Sequence, residues 1–305
     1  MNKLLILDGN SVLHRAYYAL PDWRNRSGEA TAGVYGFLSM LLKAIEELKP
    51  THLAVVFDNP APTFRHNMYV GYQTNREKDR QISEDIWGQV EKLKIVFEKM
   101  GVPVFCVAGF EADDLAGTLT KQAEKKMEVI IITGDKDYMQ LVNKKVTLYM
   151  PQKGLSDGKI IDIEGVKEKL GVTPDQVIEY KALVGDSSDN YPGVPGIGPK
   201  TAITLLEKYE TFENIYKKLD PSVAPQDDIS VGIKQKLING YESGELSRRL
   251  ATMNCESPVI LDIDAARLPD GEKMQEVFAE LGHKSLLKRA GGTPDANSTS
   301  ARLFE

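Results

Sequence analysis

The stretch Leu4-Leu5-Ile6-Leu7-Asp8 is a short apolar run that ends in a carboxylate. Two later stretches share this form: Ala54-Val55-Val56-Phe57 ends in Asp58, and Val129 to Ile132 leads through Thr133-Gly134 to Asp135. Short apolar runs of this kind are typical of strands buried in a parallel sheet. In an open α/β sheet, ligands bind beyond the carboxyl ends of the strands. The three aspartates are therefore predicted to lie along one rim of a sheet.

Further acidic residues occur in short motifs that a folded domain can bring to this rim. They are Glu111, Asp113, Asp114, Asp137, Asp186 and Asp189. Carboxylates packed closely together repel one another unless a positive group lies among them. A divalent metal ion is the simplest such group. Because the ligands are hard oxygens without Cys or His, they favour Mg²⁺ or Mn²⁺ over zinc.

The composition is that of a soluble globular protein, with 305 residues, 42% of them hydrophobic and 27% charged. We expect neither a membrane span nor a signal peptide, because no apolar run is long enough and Met1-Asn2-Lys3 leads straight into a strand. Cys106 and Cys255 are too few for a disulfide framework, so we expect a cytoplasmic protein. The net charge of −6 is indecisive about nucleic-acid binding, since the nine acids alone exceed it.

The order of predicted elements indicates two structural units. Residues 1 to about 150 alternate between strands and amphipathic helices, which is typical of a mostly parallel sheet covered by helices. Helices are predicted at 33–48 and 112–126, and further strands at 103–107, 128–133 and 146–149. From residue 173 the predicted elements are helices, at 174–184, 199–208, 212–219, 231–241 and 272–281. Residues 291–305 are small and polar, which is typical of a flexible tail.

Each acidic motif also has a simpler interpretation. Glu111 and Asp114 share a helix face, but acids are common in the first turn of any helix. Gly134-Asp135-Lys136-Asp137 aims two carboxylates the same way, yet alone it is also compatible with a polar turn.

The stretch Gly185–Ala202 is the most specific segment. Its second half, Gly196-Ile197-Gly198-Pro199-Lys200-Thr201, predicts a glycine-rich hairpin that runs into a helix. Glycines let the backbone approach a phosphate, and the helix N-terminus offers free N–H donors. A tight helix–helix connection without a ligand is the alternative. A nucleotide-binding P-loop is excluded, because the spacing of glycine and lysine is wrong and no buried strand precedes it.

Six motifs occur together in this order along the chain. They are Ile6-Leu7-Asp8-Gly9-Asn10-Ser11, Val56-Phe57-Asp58, Thr63-Phe64-Arg65-His66, Glu111-Ala112-Asp113-Asp114, Gly134-Asp135-Lys136-Asp137 and Gly185–Ala202. The set resembles the 5′-nuclease domain of bacterial DNA polymerase I, in the flap endonuclease family, and the resemblance covers residues 3 to about 290. It implies an α/β fold with a PIN-like, mostly parallel sheet over residues 1–172. It also implies a helix–three-turn–helix (helix–hairpin–helix) DNA-binding subdomain over 173–290.

The resemblance also implies roles for individual residues. Asp8, Asp58, Glu111, Asp113 and Asp114 resemble the first metal site, and Asp135, Asp137, Asp186 and Asp189 the second. Asp8, Asp58, Asp114, Asp135 and Arg76 are expected to be catalytic. Arg15, Arg65, Arg76, Gly196, Gly198, Lys200 and Thr201 are expected to contact DNA, with K⁺ at the hairpin. Residues 63–100 are similar to a helical arch through which a single-stranded 5′ end passes.

One position departs from the family pattern. The arch usually has lysine after Tyr72, where this chain has Gln73. That lysine helps to neutralise the scissile phosphate, and glutamine carries no charge, so stabilisation of the transition state is expected to be weaker. Our hypothesis is a slower nuclease, unless Lys78 or Arg80 substitutes for it.

The resemblance therefore implies a 5′-3′ exonuclease and 5′-flap endonuclease that hydrolyses DNA by two-metal-ion catalysis, leaving a 5′-phosphate and a 3′-hydroxyl. The expected substrates are DNA flaps, nicks and 5′ ends, including RNA-primed ends, and the expected state is a monomer. A DNA polymerase, or a sliding clamp bound by residues 300–305, is a candidate partner. The alternative is a catalytically weak DNA-binding protein of the same fold. A haloacid-dehalogenase-like phosphatase is set aside, because Asn10 stands where its second aspartate is needed.

Overall fold

The computed structural model describes residues 2–25, 28–75, 80–152, 158–219 and 229–293. Arg76, Lys78 and residues 294–305 of the predicted tail lie outside these ranges. The strands are β1 Lys3–Asp8, β2 His52–Val56, β3 Val104–Phe105, β4 Glu128–Ile132, β5 Val146–Pro151 and β6 Gly158–Ile161. The α-helices are α1 Gly9–Ala19, α2 Ala32–Leu48, α3 Phe64–Met68, α4 Arg80–Met100, α5 Ala112–Ala123, α6 Ile163–Leu170, α7 Val177–Val184, α8 Pro199–Tyr209, α9 Phe212–Leu219, α10 Val231–Asn239, α11 Tyr241–Ala251, α12 Gly271–Glu280 and α13 Lys284–Arg289. Single 3₁₀ turns lie at Asp137–Leu141 and Pro174–Gln176.

The described strands form one sheet in the order β3-β2-β1-β4-β5-β6. Strands β1 to β5 are parallel, and β6 is an antiparallel edge strand beside β5. Leu7 of β1 is level with Val55 of β2 and with Ile132 of β4. The carboxyl ends of these three central strands therefore meet at one edge. The prediction of a mixed α/β fold with a mostly parallel sheet is confirmed.

Strand β1 shows why both faces of the sheet are covered. Leu4 and Ile6 pack into a core that includes residues of α5, whereas Leu5 and Leu7 pack into the opposite core with α2 and α4. All four side chains are fully buried. Burying each contributes about 1.5–3 kcal/mol, and side chains alternate along a strand, so a shift of one residue would exchange the two sets. The register that aligns the strand ends is thus fixed by packing.

The C-terminal half begins with helices and returns to the sheet. Helix α7 contacts α8, α9 and α11, and the glycine-rich loop joins α7 to α8. Residues 252–268 then run back to the sheet, where the backbone N–H of Leu53 donates to the Ala266 carbonyl. Helices α12 and α13 contact α4 and α2, and Phe278 joins their core. Within the described ranges, no helix is both long and apolar enough to cross a lipid bilayer.

Most helix boundaries lie within three residues of the predicted ones. The helix predicted at 33–48 is Ala32–Leu48, and the one predicted at 112–126 ends at Ala123. The segment 174–184 begins as a 3₁₀ turn before it becomes α7. The helix predicted at 231–241 ends at Asn239. Gly240 separates it from a further helix, α11, which the sequence pattern did not predict.

Candidate active site

Asp8 connects the end of β1 to the start of α1. It caps that helix, with Oδ1 accepting a hydrogen bond from the Ser11 N–H at 3.1 Å. The Thr133 hydroxyl, which follows β4, donates to Asp8 Oδ2 at 2.7 Å. Burial raises the pKa of Asp8 to about 6, and the nearby charge of Asp58 adds to the rise. The carboxyl is therefore held in place, but it is costly to ionise without a cation.

Asp58 follows β2 and contacts the helix that carries the next acidic motif. Its Oδ1 accepts from the Ala112 N–H at 2.8 Å, at the start of α5. Its own N–H donates to Asn10 Oδ1 at 2.9 Å. These two bonds tie the ends of β1 and β2 to the N-terminus of α5.

The buried phenol of Tyr138 is affected by the charges of four carboxylates. Its pKa is raised well above the usual tyrosine value, first by burial and then by the charges of Asp8, Asp113, Asp135 and Asp58. We refer to these four residues as the rim group. The strand pattern predicted Asp8, Asp58 and Asp135 at the same edge of the sheet, and the resemblance added Asp113. Their charges all act on Tyr138, and their roles as metal ligands stay predictions.

Asp135 is the member of the rim group that contacts the remaining acids directly, through Asp137. Its N–H donates to Thr133 Oγ1 at 2.9 Å, and its Oδ1 accepts from the Asp137 N–H at 2.9 Å. The surrounding protein and then the Asp137 carboxylate raise the pKa of Asp135 to about 8. The resemblance assigned Asp135 to the second metal site, but its acidic neighbours come from both predicted sites, with Asp8 from the first and Asp137 from the second.

A second group of carboxylates consists of Asp137, Asp186 and Asp189, which we call the loop group. One oxygen of each lies within 4.8 Å of the others, and among the described residues this is the set that meets so closely. The loop is shaped by glycine. Gly185 (φ 73°) and Gly193 (φ 65°) approach each other so closely that a Cβ on either would lie under 2.5 Å from backbone atoms. This contact closes the loop that carries Asp186 and Asp189.

A lysine that the sequence analysis did not single out lies inside the loop group. Lys181 of α7 donates to Asp137 Oδ1 and, at 2.7 Å, to Asp186 Oδ2. Its side chain is only 10% exposed. Burial alone would raise the pKa of Asp186, but the charge and hydrogen bond of the Lys181 ammonium outweigh it and lower this pKa to about 2. Lysine is common in the last turn of a helix, so Lys181 did not stand out in the sequence. Its one distinguishing feature is its position five residues before Asp186.

Asp114 and Arg65 form a buried ion pair. The guanidinium meets both Asp114 oxygens, with N···O distances of 2.8 and 2.9 Å, and also donates to the carbonyls of Leu250 and Thr252. Arg65 is 1% and Asp114 0% exposed. Asp114 accepts further from the backbone N–H of Asn254. Arg65 also lies 3.9 Å from Asp113 Oδ2 and 3.7 Å from Glu111 Oε1, so the ion pair adjoins these acids. Its burial and its bonds to three elements favour a positioning role. The metal contact of Asp114 and the DNA contact of Arg65 that the resemblance implied stay predictions.

Glu111 lies beside this pair at the N-terminus of α5. It forms a capping box with Asp114, which is the simpler interpretation of the motif. Its carboxylate also accepts from Thr63 Oγ1 at 2.8 Å and from the Tyr72 hydroxyl at 3.1 Å. Burial raises the pKa of Glu111. Glu111 therefore caps α5 and also lies close to the acids at the edge of the sheet.

The predicted DNA contacts outside the acidic groups are dispersed. Gly196, Gly198 and Lys200 are exposed, and Thr201 is half-buried. Gly198 immediately precedes α8, and Pro199 occupies its first turn. The Gly196 carbonyl accepts from Lys236 Nζ at 3.1 Å. Arg15 donates to the Gln152 carbonyl, and Arg76 lies outside the described residues.

The donor chemistry of the two groups fits divalent cations. All seven side chains are carboxylates, the ligands that Mg²⁺ and Mn²⁺ prefer. The raised pKa values of Asp8, Asp113 and Asp135 mean that their anionic forms lack sufficient positive charge nearby. Asp8, Asp58, Asp113 and Asp135 would hold one ion, and Asp137, Asp186 and Asp189 a second.

Comparison with known proteins agrees with this geometry. Residues 3–171 match the family described as the 5′-3′ exonuclease N-terminal resolvase-like domain, and residues 172–274 match its C-terminal SAM fold. DNA polymerase I of Bacillus subtilis is 38% identical over 293 residues, which is 95% of this chain and 32% of the polymerase. That of Bacillus caldotenax is 39% identical over 94% of this chain and 32% of the polymerase. The chain thus spans about a third of the length of these relatives.

Solved structures share the fold at lower identity. The bacteriophage T5 flap endonuclease, in a complex with DNA and metal ions, has a TM-score of 0.67 and is 19% identical, covering 95% of this chain and 97% of that one. The catalytic core of Rad2 with a DNA substrate has a TM-score of 0.57 and is 17% identical, covering 95% of this chain and 93% of that one. With both halves matched in order, the chain belongs to the 5′-3′ exonuclease family.

Proposed function

We propose that this chain is a divalent-metal-dependent nuclease that acts on 5′ ends and 5′ flaps of DNA. The observation that carries the proposal is the loop group, whose three carboxylates have oxygens within 4.8 Å of one another, together with the aspartates that follow the aligned ends of β1, β2 and β4. Family membership and the DNA-bound structural relatives support it. Two bound divalent ions would activate a water molecule and neutralise the charge that develops on the scissile phosphate.

The chain's own residues prepare this chemistry by orienting the carboxylates. Thr133 bonds both Asp8 and the Asp135 N–H, so it fixes the spacing across the end of β4. The backbone N–H of Ala112 donates to Asp58 Oδ1, so it orients the Asp58 carboxylate at the start of α5. The exposed start of α8 would present Lys200 and the backbone N–H groups of its first turn to a phosphate, which would position the duplex without reading its sequence.

A cleavage assay on matched DNA substrates tests the proposal. A 5′-flap duplex, a nicked duplex and a blunt duplex are incubated with Mg²⁺ or with EDTA, and both ends of every product are mapped. We expect Mg²⁺-dependent cleavage near the flap junction, with a 5′-phosphate and a 3′-hydroxyl. Tight binding of the flap without cleavage at any Mg²⁺ or Mn²⁺ concentration would instead favour the non-catalytic DNA-binding alternative.

Several finer assignments belong to the same proposal. We propose Mg²⁺ or Mn²⁺ as the ions, a monomer as the working state and the cytoplasm as its location. K⁺ at the hairpin, a DNA polymerase and a sliding clamp as partners, and action on RNA-primed ends also stay predictions. The clamp-binding motif predicted at 300–305 lies outside the described residues.

Metal affinity is expected to rise with pH between about 6 and 8. In the metal-free protein the pKa of Asp8 is raised to about 6 and that of Asp135 to about 8. The protonated carboxyls of Asp8 and Asp135 therefore stabilise the metal-free fold. Their contribution is complete below the usual pKa of an aspartate, and it is lost as pH rises through about 6 for Asp8 and about 8 for Asp135. Binding a cation must displace the protons that remain.

Calorimetric titration with Mn²⁺ at pH 6, 7 and 8 measures this linkage. We expect weaker apparent affinity at pH 6 and proton release at pH 7, detected by comparing buffers of different ionisation heats. The melting temperature of the metal-free protein is expected to fall over the same range, and Mn²⁺ to raise it most at pH 8. Affinity independent of pH, with no proton release, would show that these carboxyls are not ligands.

Replacing Gln73 by lysine tests the hypothesis of a slower nuclease. At saturating Mg²⁺, Gln73→Lys is expected to raise the single-turnover rate about tenfold, because added positive charge stabilises the transition state by about 1.4 kcal/mol. Val70→Lys places the same charge three residues away, at a side chain that is 91% exposed, and is the matched control. An unchanged rate for Gln73→Lys would refute the hypothesis.

A further inference from the structure

Residues Gly71–Asn75 follow α3 and contact acids at both ends of the site. The Tyr72 hydroxyl donates to Glu111 Oε2 at 3.1 Å. The Gln73 side-chain amide donates to Asp189 Oδ1 at 3.1 Å, and the Gln73 N–H donates to the Asp189 carbonyl at 2.9 Å. Two adjacent residues thus bond one carboxylate beside the rim group and one in the loop group.

This segment is held firmly against the loop that carries Asp189. The side-chain amide of Asn190 donates to the Gly71 carbonyl at 2.7 Å and to Thr74 Oγ1 at 2.9 Å. The Asn75 side chain donates to the Ser187 carbonyl at 2.5 Å. Together with the Gln73 bonds, these contacts make the segment and the loop one hydrogen-bonded unit.

The backbone conformation and the packing of the segment also indicate that its position is fixed. Gln73 and Asn190 have φ angles of 54° and 58°, a region that costs a non-glycine residue on the order of 1 kcal/mol. Tyr72 is 4% exposed and packs with Tyr191 and Leu250. The segment therefore adopts one costly conformation that its contacts maintain, and that conformation aims both side chains at carboxylates.

The chemistry of the two donors suits the orientation of metal ligands. A phenol and a primary amide are neutral, so each fixes a carboxylate oxygen while leaving its negative charge for a cation. Lys181 already supplies one positive charge to Asp137 and Asp186. A second ammonium at position 73 would compete with a metal ion for Asp189, whereas glutamine does not.

We propose that Tyr72 and Gln73 are positioning residues that set the placement of Glu111, beside the rim group, and of Asp189 in the loop group, so that binding of the loop-group ion depends on this segment. The inference rests on the proposed two-metal nuclease function. It assigns to Gln73, which replaces the usual lysine, a role in metal binding and not only the loss of a phosphate contact.

Titration of Mn²⁺ without DNA tests the inference directly. Gln73→Met removes both side-chain donors at similar length, and Tyr72→Phe removes one hydroxyl. We expect Gln73→Met to weaken the loop-group ion about 10–100-fold and to leave the rim-group ion nearly unchanged. Tyr72→Phe is expected to weaken binding less, because Thr63 still bonds Glu111. Gln235→Met and Tyr18→Phe, at exposed positions elsewhere, are matched controls.

The activity of the same variants supplies a second readout. Gln73→Met is expected to raise the Mg²⁺ concentration needed for half-maximal cleavage while the rate at saturating Mg²⁺ recovers. Two ions bound with equal affinity by the wild type and by Gln73→Met would overturn this inference alone. A wild-type chain that binds no Mn²⁺ would overturn both the inference and the proposed function. A rate loss that no Mg²⁺ concentration restores would also contradict the inference.

Discussion

Asp135→Asn is expected to lower Mg²⁺-dependent cleavage of a 5′-flap duplex by roughly 10³-fold, since an ion contributes several kcal/mol to the transition state. Asp135 is the rim-group member that contacts Asp137 of the loop group, and burial and then the Asp137 charge raise its pKa to about 8. The amide keeps the size of the side chain but removes the charge that would bind a cation. DNA affinity is expected to stay equal or to increase, because one repulsive charge is lost.

Stability measurements separate this effect from misfolding. Removing one of several repelling carboxylates is expected to leave the melting temperature of the metal-free protein unchanged or higher. Asp264→Asn, at an exposed residue paired with Arg267, is the control and is expected to retain activity. Normal turnover by Asp135→Asn at low Mg²⁺ would remove Asp135 from the metal assignment.

Arg65→Met is expected to reduce the free energy of unfolding by about 3–5 kcal/mol, because it leaves a buried carboxylate without its partner. Four hydrogen bonds join Arg65 to Asp114, Leu250 and Thr252. They connect α3, the start of α5 and the end of α11. Urea denaturation of Arg65→Met and of Asp114→Asn measures the loss.

The control for this prediction is an exposed ion pair. Arg267→Met removes a surface partner of Asp264 and is expected to change stability by less than about 1 kcal/mol. Asp114→Asn is still expected to lose cleavage, as the sequence analysis predicted, but together with stability. Unchanged stability combined with weaker DNA binding in Arg65→Met would instead support the DNA contact that the resemblance implied.

The sequence predicted the parts of the site that depend on strand order. Asp8 and Asp58 follow buried runs, and parallel strands place their carboxyl ends at the same edge, so the convergence needed no knowledge of distant contacts. Asp135 followed from the same pattern through Thr133-Gly134. Periodic apolar residues likewise predicted α2 to within three residues, and acids in the first turn with lysines in the last predicted α5 equally well.

Long-range pairing limited the rest of the prediction. Arg65 meets Asp114 49 residues later and the Leu250 carbonyl 185 residues later, and no local pattern indicates which of several acids a buried arginine selects. Tyr72 and Gln73 were similarly placed by contacts to Glu111 and Asp189. Motif order therefore indicated which residues matter, but not which of them face a metal ion.

The packing of the C-terminal helices was also outside the reach of local patterns. Phe278 of α12 is fully buried in the core formed by α2 and α4. An amphipathic helix shows which of its faces is apolar, but not which surface that face covers. The domain limits 1–172 and 173–290 consequently stay predictions.

Diffraction from a crystal soaked in Mn²⁺, at a wavelength where manganese scatters anomalously, tests the central claim most directly. We expect two anomalous peaks. One should lie within ligand distance of Asp8, Asp58, Asp113 and Asp135, and the other within ligand distance of Asp137, Asp186 and Asp189. A map without manganese among these carboxylates, at a concentration that supports cleavage in solution, would contradict the account.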